Sequence, residues 1–258
     1  MIDTKNRTML VDGDLLAFMC SVSMEEAIKW DDDIWTLHAS ESKSIDNLAN
    51  TIDSYQQMLL CDNVVIALSS KTNFRKELSP LYKFNRKNQR KPLTYSPLKD
   101  WFRNNFKTYE FPYLEGDDTL GILATSDEFV KGDKIILTKD KDLRTIPGTV
   151  WFMQGHDYEI ISEEDADYFH MMQTLTGDTT DGYPGCPSVG KVTAEKILKD
   201  HKGNFEAMWE AVVKRYEMMK LDKKFALLQA RLARIIRANE YNFERERPLL
   251  WQPKLKTS

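Results

Sequence analysis

Cysteine is scarce in this sequence. Cys20, Cys61 and Cys186 are its three examples in 258 residues, odd in number, far apart and without metal-ligand spacing. That excludes a disulfide framework and a thiolate zinc site, and it fits reduced thiols in a cytoplasmic protein. No apolar run reaches the roughly 18 residues of a membrane span, so no membrane partner is expected. The opening MIDTKNRTML is polar and lacks an apolar stretch of signal-peptide length. There is no internal repeat and no low-complexity linker. An excess of positive charge is missing too. The net charge of −4 argues, taken whole, against a nucleic-acid binder.

The charge is unevenly placed, however. Residues 71–107 carry eleven Lys and Arg against two acids, Glu77 and Asp100. Within them RKELSPLYKFNRKNQRKPLTY, residues 75–95, reads as a long exposed insertion between a strand and a helix. A basic segment inside an acidic protein points to a polyanionic partner.

Short runs rich in β-branched residues, TMLV (8–11), NVVIAL (63–68), KIILT (134–138) and TVWFM (149–153), do not alternate, as expected of strands covered on both faces. Helices are expected near 14–28, 44–60, 96–106, 116–127, 163–175, 191–200, 205–219 and 223–240. Alternation through residue 155 predicts an α/β core with a mostly parallel sheet, followed by an all-helical region.

In such a sheet ligands bind beyond the carboxyl ends of the strands. Asp12 follows TMLV in VDGD. Glu115, Asp117 and Asp118 follow YEFPYL in LEGDD. Asp140 and Asp142 follow KIILT in TKDKDL, and Asp178 and Asp181 lie further on in GDTTDGYPG. Acids at helix starts commonly cap free N–H groups, and Asp14 reads as such a cap or as a group that supports the metal-facing acids. Capping does not account for four clusters at one sheet edge, where unneutralised carboxylates would repel one another. A pair of divalent cations would remove the repulsion and clamp the oxygens of a phosphoryl transfer. The absence of histidine from these positions favours Mg²⁺ or Mn²⁺ over zinc. Downstream, GYPGCPSVGKVTAEKILKDH (182–201) has the form of a helix–hairpin–helix, whose turn and helix N-terminus can hold a DNA phosphate without reading bases.

The order VDGD, RKELSPLYKFNRK, LEGDD, TKDKDL and GDTTDGYPG with its hairpin resembles the flap-endonuclease-type 5′-nuclease superfamily. WDDDIW and RANEYNFERERPLLWQP bring it nearest the 5′→3′ exonucleases of short-tailed phages, and the resemblance spans nearly the whole chain. It implies a PIN-like 5′-nuclease fold: a nuclease core over 1–160 with a basic clamp or arch at 71–107, and a helical DNA-binding region over 161–258 packed on it as one unit. It places Asp12, Glu115, Asp117, Asp118 and Asp140 around a first Mg²⁺ or Mn²⁺, and Asp142, Asp178 and Asp181 nearer a second. Lys83 and Arg86 match cations that reach the scissile phosphate. Arg75, Tyr82, Lys87 and Arg90 become DNA contacts; Tyr82 and Phe84, interleaved with the basic residues, are candidate base stackers, with core packing equally open for Phe84. Gly185, Ser188, Gly190, Lys191 and Thr193 form the duplex-gripping hairpin, where relatives often bind potassium.

The implied activity is 5′→3′ hydrolysis of duplex DNA and of RNA in RNA–DNA hybrids, including primers, with flap cutting as a further expected activity, in a host-cell cytoplasm and alongside other phage replication proteins. Three departures stand out. Leu68 or Ser69 stands where many relatives carry an Asp, Ser188-Val-Gly190 replaces a common Gly-x-Gly, and the basic segment is short for a threaded arch. Two alternatives stay open. One is a haloacid dehalogenase-type phosphatase built on Asp12-Gly-Asp14, with Asp14 as general acid and Asp178 and Asp181 as a late metal pair. The other is a DNA-binding relative that has lost one metal.

Overall fold

In chain order the elements are β1 (Thr8–Asp12), α1 (Gly13–Ser23), β2 (Glu26–Asp31), β3 (Ile34–His38), α2 (Glu41–Met58), β4 (Asn63–Ala67), α3 (Phe74–Leu78), α4 (Tyr95–Asn105), β5 (Lys107–Tyr109) and α5 (Gly116–Ala124). They continue with β6 (Lys134–Thr138), β7 (Gly148–Phe152), β8 (Asp157–Ile161), α6 (Glu163–Thr176), α7 (Lys191–Leu198), α8 (Phe205–Met218), α9 (Lys223–Ala233), β9 (Tyr241–Asn242) and β10 (Arg247–Pro248). The computed structural model describes residues 6–155 and 157–253.

The apolar run of β1 is buried along its whole length. Met9 and Val11 pack toward α1, α2 and α4, against Leu16, Leu48, Leu98 and Phe102. Leu10 packs toward α5 and α6, with Leu120, Leu123 and Ala166. A strand covered on both faces has no polar side to alternate with, which accounts for its sequence. The sheet runs β5-β4-β1-β6-β7-β8. Its first five strands are parallel, and β8 pairs antiparallel with β7 at the edge. Gly13 lets α1 begin directly against β4, because a Cβ there would sit 2.5 Å from the Ile66 Cγ2. Helices α6–α9 bury a separate core around Met171, Leu175, Trp209, Val212 and Ala230. Among the described residues no helix is long and apolar enough to cross a membrane.

Four sequence expectations need correction. The first helix stops at Ser23, not residue 28, because the β-forming Glu26–Asp31 and Ile34–His38 pair as an exposed hairpin with WDDDIW at its tip. The last helix stops at Ala233, not 240. There the backbone turns extended, and the Arg75 guanidinium takes the Leu232 and Arg234 carbonyls while Asp118 takes the Ile236 N–H. These tertiary partners compete with further helical hydrogen bonds. The region after 160 is helical save for the small ribbon of β9 and β10. Residues 75–95 are only partly an exposed insertion, since Arg75 and Tyr82 are 2 % and 3 % exposed and anchor its first half.

Candidate active site

The parallel strands all deliver their carboxyl ends to one edge, and the acids gather there. Asp12 ends β1. Its Oδ1 accepts the Leu15 N–H at 3.0 Å, so Asp12 itself caps α1, and its Oδ2 accepts the Thr138 hydroxyl at 3.2 Å. Asp14, expected as the cap or as a supporting group, is not the cap; it is in the first helical turn, and its Oδ2 accepts the Ser69 N–H from the end of β4. Asp140 follows β6 and caps the short 3₁₀ turn Lys141–Thr145 through the Asp142 N–H. Asp178 and Asp181 sit on a tight loop closed by the Asp178–Tyr183 bridge, with the Asp178 Oδ1 accepting the Thr180 and Asp181 N–H groups.

Electrostatics sorts these acids into two overlapping groups. Burial pushes the Asp12 carboxyl up to about 7, and the charges of Asp14 and Asp140 add to it. Burial also pushes Asp117 well above the carboxylate range, reinforced by Asp12 and Asp140. Asp142 is raised to about 7 by burial and then by Asp140, Asp178 and Asp181. Asp140 therefore belongs to both groups. The Asp142 Oδ1 is buried with no hydrogen-bond partner, an acceptor that a cation would satisfy. An all-oxygen donor set whose members destabilise one another's charge suits hard divalent ions. Among the described residues no three of these side chains stand around one point in coordination geometry, so the acids are electrostatic neighbours that a cation would draw together.

Two cations already lie among them. Lys83 Nζ stands 2.6 Å from Glu115 Oε1 and 3.4 Å from Asp181 Oδ2, and Arg86 stands 2.8 Å from Asp181 Oδ1. Burial opposes the charge on Glu115, but Lys83 and then Arg75 outweigh it and hold the carboxyl at about 2. The Lys83 backbone is left-handed, with φ at 51°, and its N–H bonds the Asp181 carbonyl at 2.8 Å. The basic segment and the loop of Asp178 and Asp181 are thus locked together by backbone as well as by charge.

The structure brings together Asp12, Glu115, Asp117, Asp140, Asp142, Asp178, Asp181, Lys83 and Arg86. It does not bring Asp118, which is fully buried and accepts two bonds from Arg75 and one each from the Glu115 and Ile236 N–H groups. With its lone pairs engaged, Asp118 is a core acid, not a metal-facing one. Arg75 is its buried partner and is withdrawn from any DNA surface. Tyr82 is likewise buried, its hydroxyl 2.7 Å from Glu115 Oε2, so its ring has no face to offer a base. Phe84, Lys87 and Arg90 are exposed, Arg90 in a bidentate pair with Glu25. In the hairpin, Ser188, Gly190 and Lys191 are exposed at the start of α7 and Thr193 is half-buried. The Gly185 N–H is instead donated to the buried Gln229 side chain, which removes it from the phosphate-gripping set. Sequence reasoning missed the Tyr95–Lys99 pair, whose hydroxyl and ammonium lie 2.7 and 2.6 Å from Asp14 Oδ1. Their spacing of four on a helix was the available signal. A phosphatase would need Asp14 as a proton donor, and these partners hold it below the usual carboxylate range against its burial.

The family model for the 5′–3′ exonuclease N-terminal resolvase-like domain matches residues 7–172. The chain is 31% identical to the exonuclease of Escherichia phage T7, over 95% of this chain and 93% of that one. It is 30% identical to the exodeoxyribonuclease of Enterobacteria phage T3, with the same coverage. The fold is similar to that of a bacteriophage T5 flap endonuclease solved as a pseudo-enzyme–product complex with DNA and metal ions, at a TM-score of 0.68 and 16% identity, over 88% of this chain and 89% of that one. The chain therefore belongs to the 5′–3′ exonuclease family and is a nuclease.

Proposed function

We propose that this nuclease hydrolyses DNA from 5′ ends, with Asp12, Glu115, Asp117 and Asp140 holding one divalent ion and Asp142, Asp178 and Asp181 a second. The observation that carries the reading is the pair of overlapping acid groups joined at Asp140, with the Asp142 Oδ1 left unpartnered. When bound, such ions supply a hydroxide nucleophile and stabilise the leaving 3′ oxygen. Lys83 and Arg86 turn from Glu115 and Asp181 to the scissile phosphate and stabilise charge on its oxygens. Ser188, Gly190 and Lys191 hold the duplex by its backbone, and Phe84, 61 % exposed, offers a ring to an unpaired base. The proposal includes Mg²⁺ or Mn²⁺ as the ions, a potassium ion at the hairpin, RNA in RNA–DNA hybrids as a second substrate, and other phage replication proteins as partners in a host cytoplasm.

The test is a 5′-labelled duplex incubated in Mg²⁺ and in EDTA, beside a duplex with a blocked 5′ end and an Asp178→Asn/Asp181→Asn variant. Mg²⁺-dependent release of short labelled products, slowed by the block and lost in the variant, is expected. Intact DNA in every lane with a shifted band in gels would mark a binding protein and end this reading.

The raised acids also predict a pH dependence. Asp12 and Asp142 titrate near 7 when folded and near 3.8 when unfolded. Between those values the folded chain binds more protons, so metal-free stability falls as pH rises from about 4 to 7 and is level above. Glu115 works the opposite way. Held at about 2, it contributes stability that is complete above its unfolded value and lost as pH falls through 2. Thermal melts in EDTA at about pH 5 and about pH 8 should show the fall, reduced in Asp142→Asn. Equal slopes for the two proteins would contradict it. Mg²⁺ affinity should rise over the same window, because the ion displaces those protons.

A further inference from the structure

Asp14 lies two residues beyond Asp12, and the proposed reaction does not use it. Its side chain is only 19% exposed and is engaged on both oxygens. Oδ1 accepts the Tyr95 hydroxyl and the Lys99 ammonium, both from α4, and Oδ2 accepts the Ser69 N–H at 2.5 Å. The contact does not stop there. The Ser69 Oγ accepts the Gly116 N–H at 2.8 Å, and Gly116 lies between Glu115 and Asp117. A Cβ on Gly116 would sit 3.2 Å from the Asp14 Oδ2, so the first turn of α5 approaches the carboxylate closely enough to leave a side chain at 116 little room. Four elements meet in this chain of contacts: α4, α1, the end of β4 and the start of α5.

We infer that Asp14, clamped by Lys99, is a positioning residue that sets the first turn of α5 and so the placement of Asp117 in the cleft. A neutral amide could accept the Ser69 N–H. The carboxylate adds the ion pair to Lys99, a charge-assisted contact with a short bond and a fixed rotamer. Because Lys99 and Tyr95 both lie in the basic segment, the relay ties that segment to the acids through a second contact, separate from that of Lys83 with Glu115 and Asp181. The inference rests on the reading of Asp117 as a metal-holding acid.

The experiment is isothermal titration of Mg²⁺ into the metal-free full-length protein, without DNA, for wild type and for Asp14→Asn, Ser69→Ala, Lys99→Met and Asp117→Asn. Asp14→Asn is expected to weaken Mg²⁺ binding roughly tenfold, with Ser69→Ala weaker in the same direction. The Asp14→Asn/Lys99→Met double variant should be no worse than its worse parent, since the pair acts as one unit. In cleavage assays the half-saturating Mg²⁺ should rise while the KM for DNA holds. Folded variants that bind Mg²⁺ like wild type would overturn the inference. So would variants whose melting temperature, DNA binding and Mg²⁺ binding all fall together, which is the pattern of a merely structural contact. Ser69→Ala keeps the test open should Asp14→Asn not fold. Failure of the underlying reading has a different signature, in that wild type binds no divalent ion or Asp117→Asn binds it as well as wild type, and the inference then falls with it.

Discussion

Lys83→Ala is expected to lower the rate of DNA cleavage by about 10²–10³-fold without raising the Mg²⁺ requirement. Lys83 is an ammonium only 15% exposed, held between Glu115 and Asp181. Burial disfavours its charge, but the two carboxylates outweigh that and raise its pKa, so it is cationic at any working pH. In the metal-free protein it serves as an internal counter-ion. Its removal leaves Glu115 with Arg75 and Tyr82 and makes the cleft more acidic, so divalent ions should bind as well as before or better. A Lys83 that only neutralised acids would then be dispensable at saturating Mg²⁺. A Lys83 that meets the phosphoryl oxygens would not be, and excess Mg²⁺ would fail to rescue Lys83→Ala. Cleavage within tenfold of wild type at saturating Mg²⁺ would assign the residue to charge balance alone. The left-handed backbone at Lys83 and its bond to the Asp181 carbonyl are independent of the side chain, so the variant should keep the loop in place.

The contrast between neighbouring acids shows what was legible in the sequence. The strand cores and the acids just beyond them could be read, because a doubly covered parallel strand has a distinctive composition and its carboxyl end has a fixed place in the layered fold. Which of two adjacent acids faces the cleft could not be. Asp117 and Asp118 are one residue apart, and one residue on a helix turns the side chain through about 100°. That turn sends Asp117 into the cleft and Asp118 into the core. Arg75 was hidden by its neighbours, since one buried arginine in a run of surface lysines and arginines has no local mark. Its burial depends on carbonyls at Leu232 and Arg234, more than 150 residues away in sequence. Asp12 took the capping bond expected of Asp14 for a related reason. Both can reach a helix N-terminus, and the partners that decide between them, Thr138, Ser69, Tyr95 and Lys99, come from three other places in the chain.

Asp118→Ala is the change with the largest expected cost to folding, about 3–5 kcal/mol. The Arg75 guanidinium would keep its charge in a site where it is 2 % exposed, with Glu115 at 3.2 Å and the two carbonyls as its remaining partners. The Ile236 N–H, which Asp118 holds at 3.0 Å, would lose its acceptor as well. Both losses fall on the junction where the chain leaves α9 and crosses to α5, so the helical region and the sheet should loosen together. Arg75→Ala should cost a similar amount, because it leaves Asp118 as the uncompensated charge. The Arg75→Met/Asp118→Asn pair should cost less than the sum of the single changes, since neither partner is then left charged and alone. Urea midpoints for the three variants measure this directly. The same proteins separate a core acid from a metal acid. If Asp118 held an ion, Asp118→Ala would weaken Mg²⁺ binding while sparing the urea midpoint. As a core acid, its loss should lower the midpoint and leave Mg²⁺ affinity per folded molecule near that of wild type.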